Sequence, residues 1–247
     1  MIYHITLSSN TNCKLLTVVL LLQFLPLFTI NAQGIASSEK KEILHKPAVK
    51  QKTAAEKLAT SLFCFDPVND KANYSITLCA DLPDNENPAK VHVKSETGHV
   101  FIILSKWKEK DTVNSVFGFY PRRPASSLIF KNVRSEILSN DNREYNVSLS
   151  KILDEDNFRQ VIKTAVELAN KKYNINKYNC YDYAIEIFNS IAGQNKLPFH
   201  HIRFPFIFGK GGSPCGLYTD LKEMKSNGSA WAPFIQFGSF RAPQSAR

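Results

Sequence analysis

The stretch around Cys180 constrains the fold more than any other part of the chain, because it predicts a helix and fixes its first residue. Asn179 is a favoured N-cap, since its side-chain oxygen can accept hydrogen bonds from N–H groups of the first turn. Gly193 suits the position after the helix, where the backbone often takes a positive φ. Apolar residues recur between them at helical spacing: Ala184, Ile187, Phe188 and Ile191.

Cys180 therefore falls in the first turn of this helix. The positive end of the helix dipole stabilises a thiolate there, so the sequence predicts a nucleophile whose pKa is lowered. The alternative is an inert thiol buried in the core.

A base for such a nucleophile is available at His99. The residues after it, 100–104, form a β-branched and aromatic run that predicts a buried strand beginning at a turn. A histidine at the open end of this strand can face the start of a helix, which is the arrangement that a Cys/His pair requires. The alternative is a histidine with a purely structural role.

The remaining pattern predicts an α+β fold with an antiparallel sheet packed against helices. Residues 90–94 alternate in polarity and are expected to form a hairpin with the His99 strand, and residues 113–120 predict a third strand. Residues 154–173 give the clearest helix pattern, with acidic residues in the first turn and lysines in the last. Two further strand-like runs, residues 62–65 and 74–79, are expected on either side of a turn at residues 67–70. Shorter helices are expected near residues 53–60 and 217–224.

Three motifs together resemble a known family. Residues 98–102 read Gly-His-Val-Phe-Ile, residues 117–121 read Phe-Gly-Phe-Tyr-Pro, and residues 178–183 read Tyr-Asn-Cys-Tyr-Asp-Tyr. This set resembles the circularly permuted branch of the papain-like proteins, which includes permuted NlpC-type cell-wall peptidases and relatives of lecithin–retinol acyltransferase. In that branch the histidine strand precedes the cysteine helix, as His99 precedes Cys180 here. The resemblance spans roughly residues 90–225.

The resemblance implies a permuted papain-like fold in which Cys180 is the nucleophile and His99 the general base and later the acid. The backbone N–H of Cys180 would form part of an oxyanion hole, and the intermediate would be a thioester. It implies hydrolysis of amide bonds, foremost in peptidoglycan stem peptides, without a cofactor or metal. Two alternatives stay open: a lipid acyltransferase or thioesterase, and a member of the fold that only binds.

The residue that orients the imidazole is left open by the sequence. In the papain-like group it commonly comes from the strand beside the histidine, which here offers Asn114, Ser115 or Tyr120. His92 is a further candidate, although a histidine in an alternating strand is more often solvated.

The chain is expected to be exported. Residues 1–32 carry one charged residue, Lys14, followed by an apolar run that ends in short residues at Ala32, which is typical of a signal peptide. A membrane anchor is the alternative, weakened by Pro26 within the run. The predicted organisation is a signal peptide (1–32), a lysine-rich linker (33–60), a permuted papain-like domain (61–225) and an aromatic C-terminal tail (226–247).

The charge of the chain narrows the class of partner that it is expected to bind. The chain has 31 Lys and Arg against 22 Asp and Glu, which suits cell-wall polymers or a membrane surface. Nucleic acid is not expected, because no zinc-finger or RNP-like pattern is present. His200, His201 and Cys215 match no zinc-ligand spacing.

In an exported protein Cys64 and Cys79 are candidates for a disulfide, with two buried thiols as the alternative.

Overall fold

An antiparallel sheet of six strands organises the computed structural model, which describes residues 51–69, 71–92, 97–124, 132–204 and 209–246. The strands are β1 (Asn73–Asp81), β2 (His99–Lys108), β3 (Asp111–Pro121), β4 (Ser135–Ser139), β5 (Glu144–Leu153) and β8 (Ile235–Arg241), with β6 (His201–Arg203) and β7 (Lys210–Gly212) forming a separate ribbon. Their order across the sheet is β4-β3-β2-β1-β5-β8, and every neighbouring pair is antiparallel.

The described residues also form four α-helices, which confirms the predicted α+β class. They are α1 (Ala54–Leu62), α2 (Glu155–Leu168), α3 (Cys180–Asn189) and α4 (Pro214–Ser226). Each begins after a residue whose side chain accepts a hydrogen bond from the first turn: Thr53, Asp154, Asn179 and Ser213. These four caps explain why the helices start where they do, since they satisfy N–H groups that have no partner within the helix.

The helices pack on one face of the sheet. Alternate residues of β1, such as Ile76 and Leu78, join the main core with apolar residues of all four helices. The predicted stripe of α3 is buried in this core. Successive side chains of a strand point to opposite faces. The other residues of β1, β2 and β3 therefore line the second face, where an outer cluster forms from Cys79, Phe101, Ile103, Val116 and Ala242.

Two predicted strands are wrong. Residues 90–92 lie outside any strand, and residues 93–96 fall outside the described part of the chain. The reason is that both edges of β2 are already used: β1 pairs with it from Asn73↔Trp107 to Asp81↔His99, and β3 pairs along its other edge. Residues 62–65, also expected to be extended, continue α1 into a 3-10 turn (Phe63–Phe65), because the capping box at Thr53 starts a helix that runs through them.

The expected disulfide is absent, because Cys64 and Cys79 are both free thiols. Cys64 lies in the 3-10 turn and packs against the main core, whereas Cys79 belongs to the outer cluster on the opposite face of the sheet. The sheet therefore separates the two sulfur atoms. Burial raises the pKa of both thiols, that of Cys79 well above its ordinary value.

The segment expected to be a tail contributes the sixth strand. Within residues 226–247, β8 pairs with β5, from Leu149↔Ile235 to Glu144↔Arg241. The predicted signal peptide and residues 33–50 of the predicted linker lie outside the described residues. None of the helices that the structure describes is both long and apolar enough to cross a membrane.

Candidate functional site

The start of α3 is held by a reciprocal pair of hydrogen bonds. The side chain of Asn179 accepts the N–H of Tyr181 at 2.9 Å, and Asp182 Oδ2 accepts the N–H of Asn179 at 2.9 Å. Asn179 Nδ2 also donates to the carbonyls of Ile175 and Gly212, each at 2.9 Å. Both Asn179 and Asp182 are buried. This capping box fixes Cys180 as the first residue of the helix.

The thiol of Cys180 meets the beginning of β2. The backbone N–H groups of Val100 and Tyr181 lie beside it, and both favour the thiolate. Burial is the larger influence and raises the pKa of Cys180 to about 11, with the Asp182 carboxylate adding to the rise. This direction is opposite to the lowered pKa expected from the helix start alone. The resting group at neutral pH is therefore a protonated thiol.

His99, the first residue of β2, is a buried neutral base. Its imidazole is 4% exposed and stacks on the ring of Tyr120 with the centroids 4.2 Å apart. Burial lowers the pKa of His99 well below its ordinary value, and the positive charge of Arg143 acts in the same direction. An unprotonated imidazole can accept a proton from the thiol, as the predicted base must.

Asn140 supplies the polar group that faces this imidazole. His99 Nε2 and Asn140 Oδ1 are both buried without a hydrogen-bond partner among the described residues. They approach the same point, since a Cβ added to Gly118 would collide with both atoms. Asn140 is otherwise fixed: Nδ2 donates to the hydroxyl of Tyr120 at 2.5 Å, and its N–H donates to the Val116 carbonyl at 3.0 Å. The tautomer that matches an acceptor on this side of the ring carries its proton on Nε2, and in that tautomer Nδ1 is unprotonated.

The residues that the sequence offered for this orienting role make other contacts or lie elsewhere. Asn114 Oδ1 accepts the hydroxyl of Ser105 at 2.7 Å, and Ser115 alternates with Asn114 and so faces the opposite side of the sheet. Tyr120 contacts the imidazole, but with its ring. His92 lies outside any strand. Asn140 was missed because it follows β4 in the turn 140–143, whose Asn-Asp-Asn sequence is typical of an ordinary turn.

An ion pair lies beside the site. Arg143 binds Asp81 Oδ2 through Nε at 2.9 Å and Nη2 at 2.6 Å, and Asp81 is the register partner of His99. The charge of Arg143 favours the thiolate of Cys180 and the unprotonated form of His99. Arg143 therefore favours proton loss at both groups.

The residues considered as metal ligands make other contacts. His200 Nδ1 lies 2.7 Å from Asp220 Oδ1, and His201 Nε2 lies 2.9 Å from Asp182 Oδ1. The thiol of Cys215 donates to the carbonyl of Lys90 at 3.3 Å. Across the described ranges, no group of three or more His, Cys, Asp and Glu side chains is arranged to hold a metal ion.

Comparisons with protein-family models, curated proteins and solved structures found no match to this chain. The fold and the site by themselves define an α+β domain with an antiparallel sheet. At one end of this sheet a helix-terminal cysteine meets the strand that begins with a neutral histidine, and an asparagine amide faces that histidine.

Proposed function

We propose that this chain is an exported cysteine hydrolase of the circularly permuted papain-like class, which cleaves amide bonds, foremost those of peptidoglycan stem peptides. The observation that carries the proposal is the grouping of Cys180, His99 and Asn140, in which His99 Nε2 faces the Asn140 amide oxygen and the thiol of Cys180 meets Val100, the residue after His99. The order His99, Asn140, Cys180 along the chain agrees with a permuted arrangement.

In the first half of the reaction, the thiol proton passes to His99 Nδ1 while Cys180 Sγ bonds to the carbonyl carbon of the substrate. The carbonyl oxygen becomes an oxyanion, which the backbone N–H of Cys180 stabilises. The C–N bond then breaks, the imidazolium gives its proton to the leaving amine, and a thioester remains.

In the second half, water attacks the thioester carbon as His99 takes one of its protons. The C–S bond breaks, the carboxylic acid leaves, and the proton returns to sulfur. Asn140 keeps Nδ1 directed to the reacting atoms through both halves. The pKa of the Cys180 thiol is raised and that of the His99 imidazole is lowered, so both groups are neutral at rest. The thiolate–imidazolium pair therefore forms during the reaction rather than before it.

A lipid acyltransferase or thioesterase is the second candidate, because the same three side chains would serve an ester or thioester. One observation favours it: Phe199 is 50% exposed next to His200, whose N–H donates to the hydroxyl of Tyr181 at 2.8 Å, one residue from the nucleophile. An exposed aromatic side chain there could contact an acyl chain.

The test incubates the purified protein with peptidoglycan, and separately with a lipid ester, and identifies the products by mass spectrometry. We expect new amine and carboxyl ends in stem peptides, loss of this activity in Cys180→Ser and His99→Ala, and its retention in Cys215→Ser. Cys215 is a suitable control because it too is a free cysteine in the first turn of a helix. Activity that survives Cys180→Ser would rule out the thioester mechanism, and cleavage of the ester alone would favour the second candidate.

A further inference from the structure

The C-terminal segment, residues 242–246, runs over the second face of the sheet. The N–H of Ala242 donates to the Arg143 carbonyl at 2.8 Å, and that of Ala246 donates to the Asn114 carbonyl at 2.9 Å. Ala242 is 2% exposed and belongs to the outer cluster. The segment is therefore fixed at both ends, to β3 and to the turn between β4 and β5.

Ser245 lies between these two points and contacts both that turn and β3. Its N–H and its hydroxyl donate to Asp141 Oδ1 at 2.9 and 2.6 Å. Its hydroxyl oxygen accepts the N–H of Val116 at 2.9 Å. Asp141 is the neighbour of Asn140, and the carbonyl of Val116 accepts the N–H of Asn140 at 3.0 Å. One serine thus binds the residue after Asn140 and the residue that holds the Asn140 backbone.

We propose that Ser245 is a positioning residue of the site: it holds the turn at Asn140 so that the amide oxygen faces His99 Nε2. This inference rests on the proposed function, in which Asn140 orients the catalytic imidazole. It adds a residue that is distant in the sequence and touches none of the reacting atoms.

The physical reason is the tautomer of His99. A neutral imidazole carries its proton on one nitrogen, and a fixed acceptor opposite Nε2 keeps the proton there. When the turn loosens, Asn140 Oδ1 no longer selects this tautomer, and a fraction of the molecules carries the proton on Nδ1. That fraction has no base directed to the thiol, so turnover falls while substrate binding is unaffected.

The experiment compares the full-length protein with Ser245→Ala, Ser245→Thr and the control Ser226→Ala, whose hydroxyl donates to the Lys222 carbonyl in the exposed last turn of α4. Two quantities are measured: kcat and KM for cleavage of a peptidoglycan stem peptide, and the His99 tautomer from imidazole ¹⁵N chemical shifts. We expect Ser245→Ala to lower kcat roughly 10-fold at unchanged KM, since small misplacements near the reacting atoms have effects of this size or larger. The Nε2–H signal should give way to a mixture. Ser245→Thr, which keeps the hydroxyl, should restore both, and Ser226→Ala should behave as the parent.

Two results would overturn the proposal. One is a Ser245→Ala variant with parental kcat and tautomer. The other is a variant with lowered kcat, an unchanged tautomer and no rescue by threonine, since Ser245 would then act on stability alone. Failure of the proposed function is recognised separately, by parental activity in Cys180→Ser. The ¹⁵N measurement needs no substrate and judges the role of Ser245 in that case as well.

Discussion

Two opposing influences act on the thiol of Cys180. The first turn of α3 and the N–H of Val100 favour the thiolate, whereas burial and the Asp182 carboxylate oppose it. Helix-terminal effects are typically about 0.3–1 kcal/mol, and one pKa unit corresponds to about 1.4 kcal/mol, so a helix start alone moves a pKa by less than one unit. The burial of a thiol can exceed this, which is why the pKa rises to about 11.

The first prediction concerns the pH dependence of this thiol. Alkylation of Cys180 by iodoacetamide should accelerate across the alkaline range, with a midpoint about two units above that of a free cysteine, because burial raises its pKa to about 11. Peptide mass spectrometry after timed quenching measures the rate. Cys215 is an internal reference, since burial raises its pKa to about 11 as well. A midpoint for Cys180 below pH 8 would contradict this expectation.

The second prediction concerns stability in acid. The folded state keeps His99 neutral, whereas the unfolded chain protonates it near 6.5, so the unfolded state binds more protons below that pH. The stabilisation is complete above pH 6.5 and decreases as the pH falls toward the lowered pKa, by up to about 1.4 kcal/mol per pH unit. Urea unfolding at pH 7 and pH 5 should show a smaller loss for His99→Gln than for the parent. Equal losses would mean that His99 is not a buried neutral group.

The third prediction concerns Gly118. Its replacement by alanine puts a methyl group against His99 Nε2 and Asn140 Oδ1, which should separate the two and lower kcat by roughly 100-fold. Gly238→Ala on β8 is the matched control, because Gly238 is exposed and its nearest neighbour is the end of a Phe240 side chain. Parental kcat in Gly118→Ala would show that the contact between imidazole and amide does not matter for turnover.

At the level of elements, the start of each helix depends on one side chain. In α2 the Asp154 carboxylate accepts the N–H of Asn157 at 2.7 Å. The fourth prediction is that Asp154→Ala lowers the free energy of unfolding by about 1 kcal/mol, the usual cost of a lost N-cap. Denaturant unfolding measures it, with the exposed Glu167→Ala of the same helix as control. An unchanged midpoint would mean that the cap is replaced by solvent at no cost.

The same local signals decide how much of the fold the sequence could predict. The α3 start, the β2 strand and the α2 start follow from neighbouring residues: a cap, an apolar run, an acidic first turn. Strand partners do not, because pairing depends on which of several apolar runs fits along an edge. The β1 strand therefore displaced the expected hairpin partner of β2, and β8 was not foreseen as a strand.

Part of the candidate site could likewise be predicted from the sequence, and part could not. Cys180 and His99 can be found from the sequence, because each stands at the end of a recognisable element. Asn140 cannot, since its role arises from the meeting of a turn with β3 at Gly118. The raised pKa of Cys180 also depends on tertiary burial.

At the scale of the whole molecule, the sheet separates two groups of buried side chains. Cys64 packs with the main core and Cys79 with the outer cluster. The fifth prediction is that both thiols are free. Unfolding the purified protein in denaturant with an alkylating agent and no reductant should modify both residues, as read by peptide mass spectrometry. A linked pair of peptides in the same digest would show instead that the sheet does not separate them.

The C-terminal segment has a kinetic consequence. The bond between Ser245 and Val116 joins residues 129 positions apart, and the pairing of β5 with β8 includes a side-chain bond between residues 97 positions apart. The hairpin of β2 and β3, by contrast, closes locally and requires little loop entropy. Contacts between distant residues form slowly. A refolding chain should therefore form the local hairpin of β2 and β3 before β8 pairs with β5 and before Ser245 reaches Val116. The turn at Asn140 would then be the part of the candidate site that is fixed last.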